Sequence, residues 1–243
     1  VQTCALPISK ASTHALRKAR VQANQPDAGF ARIQAQVAQL LSEVTSSNSA
    51  PNLLLALSGG VDSCVLLHAL AQAKNTLNFN LQAMHVHHGL SPNADAWADF
   101  CAKTSAVYQV PLEIVKVKVE KAAGLGMEAA AREARYQALF GANADYILLA
   151  HHQDDQAETL LLQLLRGAGL KGLSAMASQD EDRKLLRPLL DIPRAEIESY
   201  AKSAKLTWIE DESNLDTQYD RNYCRHEVMP VLKARFPAVS ATL

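Results

Sequence analysis

The chain has no surplus of either charge: 24 Lys and Arg stand against 25 Asp and Glu in 243 residues, a formal net charge of -1. No global basic field therefore advertises a nucleic-acid partner, and any such contact must come from local patches. Cysteine is scarce and scattered. Cys4, Cys64, Cys101 and Cys224 form no CxxC pair and no zinc spacing with the histidines, which excludes a disulfide framework and fits reduced thiols in a cytoplasmic protein. No apolar run approaches the roughly 18 residues that a bilayer-spanning helix needs, and no basic-then-apolar leader precedes a small-residue cleavage site, so a soluble chain with no membrane contact is expected. Internal repeats and low-complexity tracts are also missing.

What is present is organised around one stretch. Residues 53–70 read LLLALSGGVDSCVLLHAL: an apolar run at 53–57 breaks at Ser58, Gly59 and Gly60, then resumes with helical spacing at Val61, Val65, Leu66, Ala69 and Leu70. That pattern predicts a buried strand, a tight loop and a packed helix. Two adjacent glycines let the backbone turn sharply and approach a ligand, while the first free N–H groups of the helix face an anion at the positive end of its dipole. The loop is a candidate phosphate cradle. It is not of the Walker type, which requires a lysine, and none occurs between Ser58 and Ser63.

The length suffices for one sizeable α/β domain with a small appendage. Residues 1–27 mix Pro, Ser, Gln and basic residues without a steady period and are expected to form a poorly ordered arm. Apolar residues at Phe30, Ile33, Val37, Leu40, Leu41 and Val44 make a helical stripe, and TSSNSAP at 45–51 is a linker into the first strand. Further strands are expected at 79–86, 112–119 and 146–150, with helices at 93–107 and 127–140 between them. Such alternation implies a doubly wound parallel sheet with right-handed crossovers, whose ligands bind beyond the carboxyl ends of the strands. Residues 28–205 are read as that domain and 206–243 as a small helical C-terminal extension. The segments SGGVDS, HVHHGL, KAAGLGME and HHQDDQAET should then share one cleft.

Three constellations belong to that cleft. His85, His87 and His88, with His151 and His152, offer imidazoles but no closed ligand set at a recognisable spacing, so no protein metal site is assigned. The first group suits the adenine or ribose side of a nucleotide, or simply fills a strand-end turn. Glu128, Arg132 and Arg135 share one helix face, either as solvated ion pairs or with both arginines turned to an anion such as RNA phosphate, ATP or a carboxylate. The helix after the fourth strand opens with Asp154, Asp155 and Glu158. Acids there cap a helix and favour its dipole; they equally suit Mg²⁺, a substrate amine, or removal of a proton from that amine. Downstream, Arg166, Lys171, Arg187 and Arg194 are candidate phosphate contacts or ordinary surface charge.

Ser58 to Ser63 spell SGGxDS, which resembles the pyrophosphate-binding loop of the ATP pyrophosphatases. The ordered set SGGVDS, HVHHGLSPNADAWADFC, GMEAAAREARYQALF, HHQDDQAETLLLQLLRGAGLKGLSAM, LLRPLL and WIEDESNLDTQYDRNYCRHEVMPVL resembles the tRNA(Ile)-lysidine synthetase family over about residues 53–232. The resemblance implies a Rossmann-like PP-loop ATPase fold of the adenine nucleotide alpha hydrolase kind. It also implies ligation of free L-lysine to C2 of the wobble cytidine, position 34, of tRNA(Ile) with a CAU anticodon, through an adenylated RNA, with release of AMP and pyrophosphate. On the family pattern Ser58, Gly59, Gly60, Val61, Asp62 and Ser63 bind ATP, Asp62 acting through nucleotide-bound Mg²⁺, with His85 and His88 beside the nucleotide. Arg132, Asp155 and Glu158 match the positions that hold lysine, Arg135 and Arg166 are carried as further substrate contacts, and Asp155 is the first choice for proton acceptor. The acids near 211–214 are expected to position Arg221 and Arg225. A homodimer is carried as an expectation, and members usually have further C-terminal domains. The rival readings are an ATP-dependent tRNA thiolase of the same loop family, which leans on paired cysteines, and a non-catalytic ATP- and tRNA-binding fragment.

Overall fold

The structure, a computed structural model, describes residues 28–45, 50–119 and 126–243; the arm expected at 1–27 lies outside them. Helix α1 (Ala28–Val44) follows the predicted stripe, with Ile33, Val37 and Leu41 fully buried. Strand β1 (Asn52–Ala56) runs into the glycine loop and helix α2 (Val61–Ala73). Nine of the thirteen α2 residues are buried, because this helix is covered by the sheet on one side and by helices on the other. Each fully buried Leu there contributes about 1.5–3 kcal/mol through area removed from water, which is why the loop between β1 and α2 is rigidly framed.

The chain continues through β2 (Asn80–His87), α3 (Ala94–Val107), β3 (Leu112–Lys116), α4 (Met127–Phe140), β4 (Tyr146–Leu148) and α5 (Gln153–Leu165). After these come α6 (Leu170–Leu173), β5 (Gln179–Asp180), β6 (Leu185–Leu186) and α7 (Arg194–Ser203). The expected third and fourth strands end two or three residues early, since pairing stops at Lys116 and Leu148. The strands form one sheet in the order β3-β2-β1-β4-β6-β5, parallel throughout except for the β5–β6 hairpin. Neither that hairpin, whose two-residue strands carry no alternation to read, nor α7 is among the elements expected from sequence.

The order reverses at β1. From there the chain builds outward to β2 and β3, then returns to place β4 on the opposite side of β1. Helices α2 and α5 leave the carboxyl ends of these two neighbouring strands, so their N-termini open side by side at the switch point where such sheets bind ligands. The last stretch, with a 3-10 turn (Glu212–Leu215), α8 (Asp220–Tyr223), a π-helical turn (Cys224–Val228), α9 (Met229–Arg235) and α10 (Val239–Thr242), lies against this opening. Cys224 and Met229 pack on Ala157 of α5 in a small apolar cluster, and Ile209 N–H donates to Gly59 O at 2.9 Å.

Candidate functional site

The glycine loop is shaped by its own side chains. Ser63 Oγ donates to Gly60 O at 2.9 Å and accepts the Gly59 N–H at 3.1 Å. With its proton so used, Ser63 Oγ accepts from Ser58 Oγ at 3.1 Å, and Ser58 Oγ in turn accepts the Gly60 N–H at 3.3 Å. Gly59 has φ of +91°, and a Cβ there would stand 2.8 Å from Ile209 Cδ1 and 3.1 Å from Cys101 Sγ. Only glycine meets both demands. No side chain caps α2 at Gly60, so its first N–H groups remain available to an anion. Asp62, one residue into the helix, is gripped by Arg194 Nη1 at 2.8 and 3.0 Å. Burial raises the Asp62 carboxyl above its ordinary value, against the pull of His152 and Arg194.

Across the opening, Asp155 and Glu158 are not free. Arg221 donates to Asp155 Oδ1 at 3.1 Å and to Glu158 Oε2 at 3.1 Å. Arg225 reaches Asp155 Oδ1 at 3.0 Å and both Glu158 oxygens at 2.8 and 2.9 Å. Glu158 is only 1% exposed, and these two arginines are the charged partners of its carboxylate among the described residues. The acids near 211–214 make no direct contact with either arginine among the hydrogen bonds and ion pairs of the described residues, and Asp211 acts on the backbone. Asp211 caps the 3-10 turn through Ser213 N–H at 2.9 Å, and Asn222 Nδ2 ties the Ser213 and Asp216 carbonyls at 2.8 and 2.9 Å. They shape the backbone that carries the arginines, while the arginines themselves pair with α5.

Burial alone would raise the Asp155 carboxyl, but His152 beside it and the guanidiniums of Arg221 and Arg225 hold it at about 2, below its ordinary 3.8. A carboxylate whose folded value is depressed stabilises the fold above its unfolded value and loses that contribution as pH falls through the folded one. Asp155 should thus add on the order of 2 kcal/mol at neutral pH, lost between about pH 4 and pH 2. Acid unfolding followed by circular dichroism should show a steep loss of stability in that window for the wild type and a shallower one for Asp155→Asn; superimposable curves would remove the assignment.

A cleft of about 930 Å³ joins these parts. Of the sequence-predicted residues, Ser58, Asp62, Ser63, His85, His88, Arg132, Arg135 and Asp155 line it, together with Arg221 and Arg225. Gly59, Gly60, Val61 and Glu158 do not line it, Glu158 being joined to the lining only through the arginines it shares with Asp155. Arg166 stands apart, paired with Asp220 at 2.9 Å on the surface. Arg194 is not a free surface cation but the partner of Asp62, and Arg187 is buried with its Nη1 on Ala177 O at 2.6 Å. His85 Nδ1 donates to Leu57 O at 2.9 Å, which leaves its Nε2 an acceptor. His88 and His151 both border the cleft with a buried, unpartnered Nδ1. Burial pushes the His88 imidazole down to about 4 and that of His151 to about 3, so both are neutral hydrogen-bonding groups near pH 7. Arg132 lies over the Tyr136 ring at 5.1 Å, a contact that holds the guanidinium at the rim. The clamp on the acids was invisible in sequence, because nothing in an i, i+4 arginine pair announces a partner more than sixty residues away.

A loop of this form at the switch point of such a sheet defines a nucleotide-binding α/β domain. The profile of the PP-loop domain family matches residues 31–232, and the chain belongs to that ATP-binding family. Among its relatives, it is 52% identical over 198 residues to the tRNA(Ile)-lysidine synthase of Azoarcus sp. (strain BH72), covering 80% of this chain and 44% of that one. It is 50% identical over 201 residues to the protein of the same name from Shewanella woodyi, covering 80% and 43%. The chain thus spans less than half the length of these curated relatives. In three dimensions it is similar to the U34-tRNA thiolase NcsA of Methanococcus maripaludis, with a TM-score of 0.68 at 19% identity over 88% of this chain and 76% of that one. It is also similar to the NMN synthetase of Francisella tularensis, with a TM-score of 0.52 at 10% identity over 74% and 73%. At such identities these two likenesses speak for the fold.

Proposed function

We propose that the chain carries the reaction centre of an ATP-dependent RNA ligase that joins free L-lysine to C2 of cytidine 34 in tRNA(Ile) with a CAU anticodon. The observation that carries the reading is the meeting of a self-braced phosphate loop and a buried acid pair across one cleft, in a chain about half identical to lysidine synthases. The loop and the α2 N-terminus grip the β- and γ-phosphates and stabilise charge growing on pyrophosphate, which leaves the α-phosphate open to attack by the cytosine C2 oxygen. The lysine amine then displaces AMP at C2. Ser58, Asp62 and Ser63 offer one carboxylate and two hydroxyls beside the phosphate site, a donor set that suits Mg²⁺ carried largely by the nucleotide. When bound, that ion neutralises phosphate charge.

For lysine, Arg132 at the rim suits the carboxylate, and Asp155 and Glu158 suit the ammonium. Arg221 and Arg225 now occupy the acids, so lysine takes up this subsite by replacing guanidinium contacts with its own. While both guanidiniums remain, Asp155 is an anchor and too weak a base to accept a proton; it serves as acceptor once they withdraw. Arg135, His88 and His151, which border the cleft, suit the nucleobase and its phosphates, and the surface position of Arg166 suits RNA beyond the cleft.

The test is incubation with tRNA transcript, ATP and lysine, following AMP release and the mass of the modified nucleoside. Lysine-dependent AMP with a lysine-sized mass gain is expected, and Asp155→Asn should lower transfer at least about 100-fold while still binding ATP. Turnover that requires a sulfur donor would sink the reading in favour of a thiolase. Against that rival stand Cys64 and Cys101, both buried, with thiols that burial pushes up to about 12. ATP bound without any AMP would leave a binding fragment.

A further inference from the structure

One buried side chain spans the gap between the loop and the acid pair. His152, 3% exposed, caps α5: its Nδ1 accepts the Asp155 N–H at 3.4 Å, and its backbone N–H donates to Asp155 Oδ2 at 3.1 Å. An Nδ1 that accepts leaves the ring proton on Nε2. That Nε2 lies 3.4 Å from Asp155 Oδ2 and 3.8 Å from Asp62 Oδ1, between carboxylates that belong to opposite halves of the cleft. Each carboxylate is held on its far side by arginine, Asp62 by Arg194 and Asp155 by Arg221 and Arg225. The backbone of the next residue is pinned as well, Gln153 N–H donating to Ile192 O at 3.0 Å, two residues before Arg194.

We infer that His152 is a positioning residue that couples the phosphate loop to the amine subsite, its Nε2–H setting the spacing of Asp62 and Asp155. Neither contact is a hydrogen bond in this geometry: the two carboxylates repel, the positive Nε2–H edge attracts both electrostatically at 3.4 and 3.8 Å, and a carboxylate that turns toward it does so at the other's expense. A ligand that draws Asp62 toward the nucleotide changes the field in which the ring edge and Asp155 meet, and the converse holds, so occupancy of one half is felt in the other. The identity of the two ligands rests on the function proposed above; the bridge itself rests on the geometry.

Two substitutions separate this role from capping. His152→Asn keeps an acceptor where Nδ1 stands and is a favoured N-cap, but has no atom at Nε2. His152→Gln places an amide nitrogen near Nε2 and caps poorly. ATP affinity in the presence of Mg²⁺ is measured by calorimetry on the full chain, alongside thermal unfolding. His152→Asn should bind ATP at least about fivefold more weakly with Tm nearly unchanged. His152→Gln should bind ATP within about twofold of wild type with Tm lower by about 2–4 °C. Saturating lysine should change ATP affinity about fivefold in the wild type and the Gln variant and leave the Asn variant unmoved. Normal ATP binding by His152→Asn, equal weakening in both variants, or lysine that binds the wild type without altering its ATP affinity overturns the inference. A wild type that binds ATP but no lysine, with the Asn and Gln pattern intact, overturns the lysine reading and leaves the bridge standing.

Discussion

Gly59→Ala is expected to lower ATP affinity by at least about tenfold and to destabilise the fold by about 2–4 kcal/mol. The backbone there has φ of +91°, and the new methyl would meet Ile209 Cδ1 at 2.8 Å and Cys101 Sγ at 3.1 Å. Ile209 Cδ1, at the end of its side chain, can rotate aside, so the larger cost is the left-handed backbone, which Gly59 O, held by Ile209 N–H at 2.9 Å, keeps in place. Movement of Gly59 would pull its N–H off Ser63 Oγ and open the loop. Gly60→Ala is the control: φ is -71° and the nearest contact is Ser58 Oγ at 3.6 Å, so a change under about 1 kcal/mol is expected. Thermal unfolding and calorimetric ATP titration of the two variants check the contrast. Equal behaviour would mean that the loop does not depend on the left-handed turn.

Glu158→Ala is the second large effect, a loss of about 2–4 kcal/mol with release of the C-terminal stretch. Removing this carboxylate leaves three guanidinium contacts, at 2.8 to 3.1 Å, without an acceptor. Arg221 and Arg225 remain 21% and 32% exposed, so water recovers part of the loss and the figure sits below that of a fully buried pair. Limited proteolysis should cut the chain beyond residue 205 in the variant before it cuts the wild type, because the arginines tie that stretch to α5. Glu158→Gln, which keeps the shape and one acceptor, should fall between the two. A Glu158→Ala protein as stable and as protease-resistant as wild type would show that apolar packing of Cys224 and Met229 suffices to hold the segment.

Most of the scaffold was legible from local pattern. The stripe of α1, the apolar run of β1, the all-round burial of α2 and the β-α alternation each follow from spacing over a few turns or strands, and each appeared within a residue or two of its expected start. The short β5–β6 hairpin did not, since two-residue strands carry no period, nor did α7 (Arg194–Ser203), whose Arg194 reads in sequence as a phosphate contact or surface charge and not as the partner of Asp62. The same limit applies to the site. The acids at the start of α5 were visible as a group, but their partners were not, because an ion pair across 63 to 70 residues depends on how the C-terminal stretch folds back.

By itself, then, the sequence determined a glycine loop suited to phosphate, its place between a buried strand and a buried helix, and an acid-rich helix on the same cleft. These are consequences of glycine conformation, hydrophobic periodicity and the rule that parallel sheets bind at their carboxyl ends. Tertiary structure alone decided the states of those acids. It brought Arg194 to Asp62, folded Arg221 and Arg225 onto Asp155 and Glu158, and set the His152 ring between the two halves. The physical reason is range: backbone preference and burial act over neighbours in the chain, whereas the ionisation and accessibility of a buried carboxylate are set by whichever distant charges the fold delivers to within about 4 Å.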